Sequence, residues 1–116
     1  MPDRRRTALA IQAVYYIASG SLPLVSRKLF ERLTGPKRDW WLVQMVGLLA
    51  VSTGAALAAG LHDVREPSRE TVTVSVLSAL SFTAVDVVYS INGTISPIYL
   101  ADAAVELALV ASVILP

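Results

Sequence analysis

Three acidic side chains sit where acids are costly: Asp86, Asp102 and Glu106 each lie inside a long apolar stretch. An aspartate at the centre of a lipid-embedded helix costs roughly 2.5–3.5 kcal/mol to insert, so it normally faces other helices or a wet cavity. Asp102 and Glu106 are one helical turn apart, and Tyr99 lies three residues before Asp102, so the three share a helix face. Phe82, Asp86, Tyr89 and Ser90 form a similar stripe in the preceding segment. Crowded carboxyls of this kind cannot all ionise, because like charges in a low-dielectric site repel, and at least one keeps its proton at neutral pH. A protonated acid beside an ionised one is equipped for general acid/base chemistry and for carrying protons.

The elements that must position these groups are long and apolar. Of 116 residues 54% are hydrophobic and 16% charged, whereas a soluble domain carries about 25% charged residues; the mean hydropathy is +0.58. Four segments, residues 7–25, 40–61, 71–91 and 98–115, are each close to the roughly 20 residues that a helix needs to cross about 30 Å of hydrocarbon. Short connections make neighbours antiparallel, so the expected fold is all-α, a four-helix transmembrane bundle running up-down-up-down, with residues 1–116 forming one domain. Between the first and second spans, Leu29, Phe30 and Leu33 fall at helical spacing, which predicts a short amphipathic helix lying in the interface, capped by Ser26 and ended by Gly35-Pro36. Trp40-Trp41 reads as an interfacial aromatic anchor, with Asp39 as N-cap of the second span. The other connections are a polar loop, residues 62–70, and a tight turn on Asn92-Gly93, where Asn92-Gly93-Thr94 matches a glycosylation pattern by chance. Ala56 and Gly60, with Ala55 and Ala59, have the spacing that permits close helix approach or self-association. Arg4-Arg5-Arg6 before an apolar run also fits the head of a cleaved leader, a reading that would leave three spans.

Depth arithmetic gathers the polar groups. In an alternating bundle the first and third loops share one side of the membrane; Asp86, six residues before Asn92, and Asp102, five after Pro97, then lie roughly 8–9 Å in from that side at 1.5 Å per residue. Gln44 from the second span reaches the same half, as do Ser19, Ser21 and Tyr15 or Tyr16 from the first. The expected site therefore has Asp86, Asp102 and Glu106 as catalytic acids and Gln44, Tyr89, Tyr99, Tyr16 and Ser19 around a substrate. A structural alternative pairs Asp86 and Asp102 with Arg27, Lys28 or Arg38 from the first loop. The tyrosines also suit an interfacial anchoring role, and His62 suits a surface position.

Several classes fall away. The chain has no cysteine, which removes disulfides, thiolate catalysis and cysteine-held metals. A single histidine excludes a two-histidine haem site within one chain. No nucleotide-binding loop, metal-ligand cluster or nucleophile motif is present, and no basic stripe suits nucleic acid. No cofactor is expected. Sidedness is a tie, with Arg4, Arg5, Arg6, Arg65 and Arg69 on one side against five basic residues of the first loop on the other, so dual topology stays open.

Leu22-Pro23-Leu24-Val25-Ser26-Arg27, Thr34-Gly35-Pro36-Lys37, Asp39-Trp40-Trp41-Leu42-Val43, Asp86-Val87-Val88-Tyr89 and Ile95 to Ala103 together resemble a group of small uncharacterised bacterial four-helix integral membrane proteins, similar in architecture to DoxX-like proteins. The resemblance covers nearly the whole chain, implies the bundle and a bacterial inner membrane, and implies no activity. From the residues themselves, the leading expectation is a pocket, reached from the membrane, that binds a small lipophilic molecule and transforms it by cofactor-free acid/base chemistry of isomerase, cyclase or epoxide-opening type. The alternatives are a proton-coupled or cation transporter, as a homo-oligomer, and an accessory subunit whose acids lock helices together. Membrane lipids are the expected surroundings.

Overall fold

The computed structural model describes residues 2–116, with side chains from residue 4 onward. Regular structure is helical throughout the described residues: α1 (Pro2–Val25), α2 (Arg27–Thr34), α3 (Trp40–Leu61), α4 (Arg69–Ile91) and α5 (Tyr99–Ile114). Three of them, over Arg4–Val25, Trp40–Leu61 and Arg69–Ile91, are long and apolar enough to cross a membrane. With 16 residues, α5 is shorter, about 24 Å at the standard helical rise, and it carries Asp102 and Glu106.

Local chemistry explains the boundaries. Ser26 breaks from α1 into extended backbone and its hydroxyl accepts from the Leu29 amide at 3.1 Å, starting α2. Gly35, at φ +93°, ends it, a conformation in which a Cβ is penalised. Ser68 after Pro67 caps α4 in the same way, accepting from Thr71. At the far end of α4, the amides of Thr94 and Ile95 return to the Tyr89 carbonyl at 2.9 and 3.1 Å, which folds the Asn92-Gly93 turn tightly. The expected Asp39 cap is not made: its side chain forms no capping bond, and only its carbonyl receives the Leu42 and Val43 amides. α1 starts at Pro2 rather than at residue 7, because Arg4, Arg5 and Arg6 have partners that hold the first turns.

Those partners are backbone carbonyls. Arg5 Nε donates to Val113 O at 2.8 Å, Arg4 donates to Leu115 O and Pro116 O, and Arg6 donates to Leu61 O at 2.7 Å and Val64 O at 2.8 Å. The start of α1 therefore clasps the ends of α3 and α5, where unpaired carbonyls and the negative ends of the helix dipoles collect. α1 runs antiparallel to both.

α1 is the central element and packs most extensively on α3, while α4 packs on α5. The α1–α3 seam is made of small residues: a Cβ on Gly20 would stand 2.6 Å from Gly47 O, and one on Gly47 2.5 Å from Gly20 O. Backbones this close gain dispersion contact in a setting where hydrophobic burial adds little. Ala55 and Ala59, by contrast, are exposed, and Gly60 packs on Thr71 of α4. The core cluster of Leu9, Ala13, Leu57, Leu61, Leu109 and Val113 lies toward the arginine end. The outside is apolar, with Val14, Leu48, Leu49, Leu77 and Val85 more than half exposed, whereas Gln12, Ser75, Asp86 and Glu106 are buried. Polar groups inside and apolar ones outside are what a hydrocarbon solvent selects.

Candidate functional site: an acidic cavity beneath α2

α3 and α4 meet near their shared loop, at Gly60 and Thr71, and otherwise touch lightly. At the α2 end, a cavity of about 610 Å³ lies between α3 on one side and α4 and α5 on the other, floored by α1 and roofed by α2. Its walls are mainly apolar, among them Pro23, Leu42, Val43, Val46, Phe82 and Val105. Leu42 and Val46 on its rim are 42% and 50% exposed, so the opening is bordered by the apolar outer surface of the molecule.

Asp86, Asp102 and Glu106 all line this cavity. Asp102 is half-buried, whereas Asp86 and Glu106 are almost fully buried. The helix spacing places them: Asp102 and Glu106 stack one turn apart on α5, and α4 brings Asp86 alongside. Two tyrosines from consecutive positions of α1 serve the pair on α5. Tyr16 donates to Glu106 Oε1 at 2.7 Å within the buried interior, and Tyr15 donates to Asp102 Oδ1. Phe82 meets the Tyr16 ring edge-on, with centroids 5.4 Å apart, and fixes it. One turn down α1, Gln12 and Ser75 bind reciprocally, Gln12 Nε2 to Ser75 O at 3.1 Å and Ser75 Oγ to Gln12 Oε1. Buried polar groups thus follow one face of α1 from Gln12 to Tyr16. Asp86 Oδ2 stands apart, as a buried oxygen with no hydrogen-bond partner.

The roof is organised around Glu31. Its carboxylate accepts the Lys37 amide at 2.7 Å and pairs with Arg27 at 3.3 Å; chiefly the amide bond, with help from the Arg27 charge, holds it below the usual glutamate range. Arg27 also stacks over Trp40, 4.8 Å from the ring, and Phe30 packs edge-on against the same ring. Lys37 turns back over the cavity: Nζ donates to Thr34 O at 2.8 Å and Gly35 O at 3.0 Å and lies 5.3 Å from the Tyr99 ring. Burial pushes its ammonium below the usual lysine range.

The structure therefore brings together Asp86, Asp102, Glu106, Tyr16, Tyr99 and Ser19 of the residues expected from sequence, although the Ser19 hydroxyl is spent on the Tyr15 carbonyl at 2.6 Å. Gln44 and Tyr89 are exposed and lie outside the cavity wall. The Gly20–Gly47 contact sets the rotation of α3 and turns Gln44 outward, and Tyr89, three residues past Asp86, lies beyond the edge of the buried face. The structural lock with basic residues is also corrected: Arg27 pairs with Glu31, and neither Lys28 nor Arg38 forms an ion pair among the described residues. Two residues were missed. The sequence offers Tyr15 only as an alternative to Tyr16 and Lys37 only as a loop charge, its return over the cavity depending on the Gly35 turn.

Fold and site together describe a helical protein with three helices long and apolar enough to cross a membrane and with acids in its interior. No family model, curated protein or solved structure matches the chain.

Proposed function

We propose that this protein crosses a bacterial inner membrane four times, through α1, α3, α4 and α5, with α2 in the interface, and that its cavity binds a small lipophilic molecule. The observation that carries this reading is the convergence of three carboxyls and two tyrosines on one apolar-walled cavity of about 610 Å³, a size typical of small-molecule sites. The rim, bordered by exposed Leu42 and Val46, supports access from the membrane. α5 is short for a span, but it packs along α4 and its end is clasped by Arg4 and Arg5.

The chemistry this arrangement suits is proton transfer. Of two carboxyls lining one cavity, a protonated one donates to the ligand and an ionised one accepts, so an isomerisation, cyclisation or epoxide opening needs no outside reductant, oxidant or cofactor. Asp86 and Asp102 are the acid/base pair in this scheme, Glu106 holds or relays the proton, and Tyr15 and Tyr16 orient the acids of α5. The same groups would serve a proton-coupled carrier, which uptake into proteoliposomes driven by a pH gradient and lost in Glu106→Gln would reveal.

The test uses a neutral lipophile, 4-phenylbutanol, titrated against the protein in maltoside micelles and followed by the heat of binding. Saturable binding is expected, weakened by about tenfold in Val46→Trp, which fills the cavity, with the helical circular dichroism unchanged. A linear response that is the same in Val46→Trp would overturn the cavity as a binding site.

A further inference from the structure

We infer that the molecule this cavity takes is a lipophilic amine, bound as its ammonium ion against Asp86; the inference rests on the cavity being a lipophile site and adds the charge of the head group. The first observation is the unserved oxygen. Asp86 is 4% exposed, lines the cavity, and its Oδ2 has no donor. A buried acceptor left unmet costs about 1–3 kcal/mol, more when it carries charge.

No donor of the protein reaches that oxygen, Tyr99 and Lys37 of the cavity lining included, and most donors nearby are committed elsewhere. Tyr15 donates to Asp102, Tyr16 to Glu106 and Ser19 to a carbonyl of its own helix. Lys37, the cation at the roof, spends two of its three N–H groups on Thr34 O and Gly35 O. No basic side chain pairs with Asp86, Asp102 or Glu106 among the described residues. Three acids within the membrane have no counter-ion from the chain itself, and an intramembrane carboxylate calls for one.

The walls choose between kinds of cation. A bare metal ion needs a cage of oxygens, and no group of residues able to hold a metal is present among the described residues. Pro23, Val43, Val46 and Val105 instead offer apolar surface to a hydrocarbon body. A head with N–H donors on an apolar body meets both halves of the site, and the N–H makes a charge-assisted bond to Asp86 Oδ2. A quaternary ammonium carries the charge without the donor and would leave that oxygen unmet.

Three probes of one shape separate the possibilities: 4-phenylbutylamine, 4-phenylbutanol and 4-phenylbutyrate, titrated in the same micelles. The amine should bind about tenfold tighter than the alcohol, with the carboxylate weakest. In Asp86→Asn the amine and alcohol should bind within about twofold of each other. Because folding of that variant is not assured, Lys37→Gln gives a second reading: removing the roof cation should raise the affinity for the amine relative to that for the alcohol, and a ratio that does not rise overturns the charge assignment. Equal binding of amine and alcohol in the unaltered protein overturns the amine assignment and leaves the lipophile site standing. An amine preference that survives Asp86→Asn in a folded protein overturns the role of Asp86. No binding by any probe removes both readings.

Discussion

At the residue scale, the two adjacent tyrosines of α1 do different work. Tyr16 is buried and holds Glu106 at 2.7 Å, so Tyr16→Phe strips a donor from an acid that cannot turn to water. The expected loss is roughly 1–2 kcal/mol, near the upper range for hydrogen bonds between membrane helices, and should appear as a lower unfolding temperature in detergent. Tyr15→Phe should cost less, because Tyr15 is half-buried. A larger loss for Tyr15 would show that the pair's contributions are reversed. Glu31 makes a pH prediction with a definite sign. Its carboxylate is held below the usual range by the Lys37 amide and Arg27, so its contribution to closing the roof is present above the ordinary glutamate value and disappears as pH falls through the lowered one. The protection factor of the Lys37 amide, taken against the intrinsic exchange rate at each pH, should fall on that acidification, and in Glu31→Gln it should be low at every pH; a protection factor that does not change with pH in the unaltered protein would refute the assignment.

These residues also show what sequence could and could not reveal. Counting residues from the two ends of the Asn92–Pro97 turn puts Asp86, Asp102 and Glu106 at similar depth, since helical rise makes depth a matter of arithmetic. Rotation about the helix axis is not arithmetic. Gln44 was at the right depth and faces outward, because the meeting of Gly20 and Gly47, a contact between distant positions, decides which way α3 turns. Lys37 illustrates a second limit. Its place over Tyr99 depends on the φ of Gly35 and on Glu31 gathering the loop, neither of which is carried by hydropathy. Gln12 and Ser75 stand in apolar stretches of the sequence, and only their reciprocal hydrogen bonds show that each is the reason the other can be there.

At the element scale, caps and glycines were readable and their partners were not. Ser26 and Gly35 bounded α2 as expected, while the small-residue spacing at Ala55 and Ala59 pointed to a face that remains exposed. The seam that does form runs through Gly20 and Gly47, and it yields a prediction. Gly47→Val puts two methyl groups against the α1 backbone and should destabilise by about 1–3 kcal/mol, the usual range for overpacking, whereas Ala59→Val should be close to neutral. Thermal unfolding of both variants in the same detergent decides the matter; equal midpoints would mean that α1 and α3 do not approach as described. The arginine clasp is a property of elements too. Arg6→Gln frees the carbonyls of Leu61 and Val64, and exchange protection should fall first in the last turn of α3 rather than in its centre.

At the scale of the whole molecule, the chain measures 43 × 27 × 18 Å, and its long dimension matches a bilayer with its head-group layers, about 40–45 Å. The absence of cysteine allows topology to be read directly from single introduced thiols. Cysteine in place of Lys28 and of Asn92 should react with an impermeant maleimide from one side of the membrane, and cysteine in place of Glu66 from the other. Labelling of Lys28→Cys and Asn92→Cys from opposite sides would contradict four spans; labelling of every position from both sides would identify dual insertion, which the even split of basic residues allows.

The gap between α3 and α4, bordered by Leu42 and Val46, has a consequence for supply. On the proposed lipophile reading, a guest reaching the acids sideways would be drawn from molecules dissolved in the lipid, and occupancy would follow how strongly a compound partitions into the membrane as much as how well it fits. Two compounds of equal fit would then rank by their oil–water distribution, and the protein would sample the contents of the bilayer rather than those of the water on either side.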